Sequence, residues 1–327
     1  MKRILLILLA LLLLSGCAGE ETPVVPEYVL TYAENQPEGY PTVLAAEYFA
    51  DLVNERTGGK VVIQVKCGGE FGTEADVLEQ MAFGGIDFAR VSLAELSNEL
   101  PVLNVLQLPF LYADADHMWR ILDGSLGEDF LEVVSELGLV GLSWYDGGTR
   151  CFYSDVGPIR CPDDLAGLTV RVQDSKMAAD MVELLGGKPV VLDYDDVYSA
   201  FQLGKIDAAE NNLPAYEARG HWQVARFFSD DEHTRVPEIQ LASARVWEKL
   251  PQEYRQIIAQ CARESALYQR ELWQIRQEEA RNAALSAGWS EIILTPEERE
   301  VFRQTVLPLY ERYCAEYMDL VTEIQNG

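Results

Sequence analysis

Between Gln252 and Ala287 the sequence holds almost no helix breaker, and this stretch limits the fold more than any other feature. Tyr254, Ile257, Ile258, Cys261, Ser265, Tyr268, Leu272 and Ile275 recur at helical spacing and make one stripe. At the usual rise per residue such a helix is roughly 50 Å long. One lobe is too short for it, so the helix is expected to span two.

The rest of the chain predicts two α/β lobes. Residues 42–56 have helical spacing and stop at Gly58-Gly59. Val61, Ile63 and Val65 alternate with polar neighbours as in a strand. A helix over 74–83, a strand over 86–91, a helix capped by Asp114, a helix over 126–137 and a buried strand over 139–145 follow. This alternation argues for an α/β layer with a mainly parallel sheet. The rhythm restarts after Gly147-Gly148, with strands over 151–153, 168–172, 189–192 and 206–210 and helices over 177–185 and 195–203. Thr295-Pro296-Glu297-Glu298 is a strong helix start. Pro308 should bend or interrupt that helix.

The N-terminus carries a different signal. Lys2 and Arg3 precede an unbroken apolar run from Ile4 to Leu14, and Leu14-Ser15-Gly16-Cys17 follows. The run is too short to span a bilayer and reads as a signal peptide. Its ending resembles a bacterial lipobox, after which Cys17 is the lipid anchor and the new N-terminus. Residues 18–26 suit a flexible tether. No later segment is long and apolar enough to cross a membrane, so the membrane is reached only through the anchor.

Charge narrows the function. Lys and Arg number 26 against 53 Asp and Glu, for a net charge of −27. Such a chain repels phosphate backbones, so no nucleic acid is expected as a partner. An anionic small molecule stays open, because a few local arginines decide a pocket. Cys67, Cys151, Cys161, Cys261 and Cys314 are odd in number and fit no zinc spacing. Buried free thiols are expected, with a Cys151–Cys161 pair as the alternative. His117, His221 and His233 fall in no metal or triad spacing, and surface or satisfied core is their expected place. No phosphate loop or nucleophile elbow occurs. No catalytic residue, metal or cofactor is expected.

The strand ends of the second lobe carry the chemistry. A glycine turn leads into Arg150, Arg171 interrupts an apolar strand, and the strand at 206–210 runs into Glu210-Asn211-Asn212. A charge inside a strand is costly unless paired or facing a cleft. Open α/β sheets bind ligands beyond the carboxyl ends of their strands. Two arginines and an amide there make a carboxylate clamp, since guanidinium can meet a carboxylate with two parallel bonds. The alternative is that Arg171 pairs with an internal carboxylate.

In these stretches the sequence resembles the DctP family of receptors of TRAP (tripartite ATP-independent) transporters. The resemblance runs from about Tyr28 to Tyr317. It is carried by Glu47-Tyr48-Phe49, Arg56-Thr57-Gly58-Gly59-Lys60, Gly72-Thr73-Glu74, Leu108-Pro109-Phe110-Leu111, Arg171-Val172 and Val197-Tyr198 with Ala200-Phe201-Gln202, in that order. It implies a two-lobed, periplasmic-binding-protein-like α/β fold with hinge strands and a long helix spanning both lobes. The expected division is 27–148 with about 238–275 as lobe 1, and 149–237 with about 276–327 as lobe 2. The resemblance also implies that Arg171 takes the ligand carboxylate, that Arg150 is the second arginine, and that Glu210, Asn211 and Tyr194 line the site. Ala89-Arg90-Val91-Ser92, Glu210-Asn211-Asn212 with Pro214 and Tyr216, and His233-Thr234-Arg235-Val236-Pro237-Glu238 are similar to sugar-acid receptors. Glu74 and Arg90 are then expected to reach sugar hydroxyls, with Asn35 at the mouth. Ala208, Val190 to Asp193 and Gln36 depart from the family pattern.

The expectation is therefore a monomeric, non-enzymatic, extracytoplasmic receptor that captures a small carboxylate, a uronate by preference, and docks on integral-membrane TRAP transporter subunits. The rivals are a receptor for a C4-dicarboxylate or keto acid, a surface enzyme acting on uronates, and a sensory receptor.

Overall fold

The computed structural model describes residues 25–327. The leader, Cys17 and the tether up to residue 24 lie outside the described residues.

Two twisted sheets make the frame. The first has strand order β2-β1-β3-β10-β4, with β1 Tyr28–Ala33, β2 Val61–Lys66, β3 Phe88–Ser92, β4 Leu139–Tyr145 and β10 Glu238–Ser243. The second has order β11-β9-β5-β8-β6-β7, with β5 Thr149–Ser154, β6 Thr169–Val172, β7 Lys188–Val191, β8 Ala208–Asn211, β9 Phe227–Arg235 and β11 Ser290–Ile293. Both sheets are mainly parallel, as expected, and each contains one reversed strand. β10 runs antiparallel to both β3 and β4, and β5 runs antiparallel to both β8 and β9. The reason is connectivity. The chain passes between the sheets through short links, at 146–148 and 236–237, and each passage turns the strand direction without a helical crossover.

The helix Gln252–Ala287 spans both lobes as its length requires. Its first half covers the first sheet: Arg56 pairs with Glu264, and the Tyr145 hydroxyl meets Ser265 Oγ at 3.1 Å. Its middle clamps the link. Gln269 accepts from the Asp146 N–H at 2.8 Å and donates to the Asp146 carbonyl at 2.9 Å. Its second half meets the second lobe, where Arg276 pairs with Glu217 and Arg281 with Glu291. At Gly148 the backbone has φ +68°, and an added Cβ would sit 2.9 Å from Trp273 on the long helix. A side chain is refused there on both counts. Gly148→Ala is expected to cost about 1–3 kcal/mol, read as a lower urea midpoint at unchanged slope; an unmoved midpoint contradicts this account of the link.

The local signals of the C-terminus hold. Thr295 and Glu298 form a reciprocal cap, and Pro308 ends the helix Pro296–Val306 and starts Pro308–Cys314. The last helix, Met318–Asn326, does not stay with the second sheet, contrary to the expected division. It returns to the first lobe, where the Ile324 carbonyl lies 2.7 Å from His117 Nε2. The five described cysteines are free, so the Cys151–Cys161 alternative falls: Cys151 donates to Asp230 and Cys161 to Asp164. His117 and His221 are core histidines with partners, His221 Nδ1 lying 2.9 Å from the Tyr153 hydroxyl.

Candidate ligand-binding site

Between the lobes lies a cleft of about 360 Å³. Asn35, Glu74 and Arg90 face it from the first lobe, and Arg150, Arg171, Tyr194 and Asn211 from the second. Seven of the eight ligand positions read from the sequence thus meet at one cavity. Two hydrogen bonds cross its mouth, Asn98 Nδ2 to the Asp174 carbonyl at 3.0 Å and Arg219 Nη2 to the Asn35 carbonyl at 3.5 Å.

The buried part of the second-lobe wall is cationic, while the aspartates that also line it, Asp174, Asp193, Asp195 and Asp196, are exposed at its rim. Arg171 projects from the middle of β6 and is 3% exposed. Its Nε donates to the Leu192 carbonyl at 2.9 Å, and no salt bridge holds it among the described residues. Burial pulls its pKa below the ordinary value for arginine, and Arg150 acts in the same direction. A buried cation without a carboxylate is costly, and such a group is what an anion would relieve. Arg150, at the start of β5, is oriented from behind: Nε and Nη2 both meet Glu210, Nη2 at 2.8 Å, and Nη1 reaches Asn211 Oδ1 at 3.4 Å. Asn211 Oδ1 also accepts the Asn212 N–H at 2.8 Å, which leaves the amide N–H groups for the cleft.

Glu210 is the position that departs from expectation. It is 1% exposed and stands behind Arg150, away from the cleft. Successive residues of a strand point to opposite faces, so Glu210 and Asn211 cannot both line one cavity wall. Burial works to raise its pKa, but Arg150 and His233 outweigh that and hold it down at about 2.

The first-lobe wall is acidic. Arg90 is 2% exposed and is wholly engaged: Nε to Glu34 at 3.1 Å, Nη1 to Glu74 at 2.8 Å and to Glu238 at 3.5 Å, and Nη2 to Glu34 and Asn35. Glu74 also accepts from Asn35 Nδ2 at 2.9 Å and from the Ser92 N–H at 3.0 Å. Three carboxylates around one guanidinium leave this wall with an excess of acceptors. Burial lifts the Glu238 carboxyl to about 7, against the pull of Arg90 and with help from Glu74 and Glu34. Burial likewise lifts Glu95 to about 8, Glu74 and Asp174 adding to it.

Glu238 and Arg219 are among the cleft residues that sequence reasoning misses. Glu238 ends the stretch from His233, but β10 carries no clear strand alternation to show which way it points. Arg219 ends a short helix, Leu213–Ala218, where nothing in the pattern marks it. It stacks on the Tyr194 ring at 4.5 Å and pairs with Asp195 at 2.9 Å. Gln36 and Asp193, which depart from the family pattern, both line the cleft.

A gap between two α/β lobes, with guanidinium on one wall, acceptors on the other and lobe-to-lobe bonds at its mouth, defines a receptor for a small solute. The chain belongs to the DctP family, described as bacterial extracellular solute-binding protein, family 7, which matches residues 32–316. A solute-binding protein of Chromohalobacter salexigens is 36% identical over 294 residues, covering 89% of this chain and 87% of that protein. The crystal structure of a TRAP periplasmic solute-binding protein from Bradyrhizobium, in complex with α/β-D-galacturonate, superposes with a TM-score of 0.88 at 34% identity over 91% of this chain and 99% of that one. One from Pseudomonas putida, with bound D-glucuronate, gives 0.88 at 32% over 91% and 97%. A prokaryotic membrane lipoprotein lipid attachment site matches residues 1–18, which include Cys17, so the chain is an exported, lipid-anchored receptor. Among the described residues no helix is long and apolar enough to cross a membrane.

Proposed function

We propose that this receptor captures a hexuronate such as D-galacturonate or D-glucuronate and delivers it to integral-membrane TRAP subunits, acting as a monomer held at the membrane by Cys17. One observation carries the choice of ligand: the cleft is bipolar. Arg171 and Arg150 stand on one wall, and Glu34, Glu74 and Glu238 gather around Arg90 on the other. A carboxylate belongs against the arginines, with Asn211 donating beside it. Sugar hydroxyls can donate to the acidic wall, which offers acceptors. A second carboxylate would face like charge, which works against a C4-dicarboxylate. Uronates bound in the Bradyrhizobium and Pseudomonas proteins support the same reading.

A thermal-shift panel tests it. D-galacturonate or D-glucuronate should raise the melting temperature, since a ligand at a hundred times its Kd adds about 2.7 kcal/mol to folded stability. Succinate and pyruvate should leave it unmoved. Stabilisation by either of these and by no uronate overturns the proposal.

A further inference from the structure

We infer that His233 is a positioning residue that works as an imidazolium, holding Glu210 and through it Arg150 in place for the ligand carboxylate. This rests on the carboxylate reading of the cleft. His233 lies on β9, is 1% exposed and stacks on Phe152 at 4.4 Å. Its Nδ1 is 2.7 Å from Asp231 Oδ2, and its Nε2 is 3.8 Å from Glu210 Oε2 with no hydrogen-bond partner among the described residues. Asp231 is itself buried and accepts the Phe152 N–H at 3.0 Å.

A neutral imidazole has one N–H and one lone pair. Placed between two carboxylates, it would aim that lone pair at one of them. The imidazolium presents N–H to both. The charges then balance in a telling way. His233, Arg150 and Arg171 are three cations, and Asp231 and Glu210 are two anions. One positive charge remains, and one ligand carboxylate cancels it. With a neutral His233 the set already sums to zero, and an arriving carboxylate would be left uncompensated.

The other neighbours do not supply that charge. From β5 the ring meets Phe152, and Arg150 lies beyond Glu210. Glu232, next in the strand, pairs instead with Arg299 at 2.6 Å. Burial works against the charged imidazole, but Asp231 and Glu210 outweigh it and lift its pKa to about 9. A pKa raised on folding keeps the cation through neutral pH and loses it as pH climbs through about 9. Anion affinity should fall over that range. Glu238 and Glu95, lifted to about 7 and about 8 on the cleft wall, titrate nearby, so the wild-type profile alone does not isolate His233.

The test pairs two measurements. Nitrogen NMR of the histidine-labelled protein, without and with D-galacturonate, reads the charge on His233 directly. Calorimetry with D-galacturonate compares the wild type with His233→Gln at about pH 7 and about pH 10. A protonated ring at neutral pH is expected, with its midpoint raised further by ligand. The variant should bind about ten-fold more weakly or worse at neutral pH, and its affinity should change less between the two pH values. A neutral ring, or a variant with wild-type affinity and profile, overturns the inference. If His233→Gln fails to fold, the wild-type NMR still decides. If no uronate binds the wild type, the functional proposal fails, while the ring's charge in the unliganded protein still supports or sinks the role of His233.

Discussion

Replacing Arg171 with methionine should weaken uronate binding by about a hundred- to a few-thousand-fold, while the unliganded protein becomes no less stable. The first part follows from the ligand's side. Without Arg171 a carboxylate enters a dry site with one cation fewer, and an unpaired buried charge typically costs about 3–5 kcal/mol. The second part follows from the protein's side. Arg171 is buried, carries a charge, and among the described residues has only the Leu192 carbonyl as a partner. Methionine keeps most of the stem packing and removes the desolvated charge. Titration calorimetry reads the affinity and urea unfolding reads the stability. Near-normal binding by the variant would remove the arginine clamp from the mechanism. A large loss of stability without ligand would show that Arg171 is a structural residue instead.

Arg90→Met should do the reverse. Arg90 is held by Glu34, Glu74 and Glu238, and all three carboxylates lie at or near the buried cleft wall. Its removal leaves them facing one another without a counter-charge, at an expected loss of about 3–5 kcal/mol of folded stability. The loss should depend on pH with a definite sign. Carboxyls stripped of their cation have folded pKa values above their unfolded ones, so stability returns as pH falls and they protonate. Urea unfolding at neutral and at mildly acidic pH checks this. A deficit that is absent, or that grows on acidification, would contradict the view of Arg90 as the hub of the acidic wall.

These two arginines show how far the sequence reads. Both interrupt apolar strands, and the rule that α/β sheets bind beyond their strand ends marks both equally. Arg171 lines the cleft with no carboxylate partner among the described residues, the arrangement a ligand clamp needs. Arg90 was expected to reach sugar hydroxyls, yet every arm of its guanidinium is engaged by Glu34, Asn35, Glu74 or Glu238. Glu34 follows β1, Glu74 opens the helix Glu74–Phe83 and Glu238 opens β10, so the three elements that make this cage are separate in the chain. No local pattern records that they meet. The same holds for β9. Its buried face alternates as a strand should, but Ser229, Asp231 and His233 fill it, so a search for apolar periodicity passes over it.

What the sequence determined by itself is local. The long helix, the Thr295 cap, the break at Pro308 and the strand over 139–145 all depend on propensity, capping and the spacing of apolar residues within a few turns. Tertiary structure decided which charges are paired. It left Arg171 without a carboxylate among the described residues, saturated Arg90, hid Glu210 behind Arg150 and set His233 between two acids. The physical reason is that pairing and burial of a charge depend on groups brought together from remote segments, and these set its energy far more than its own sequence neighbours do.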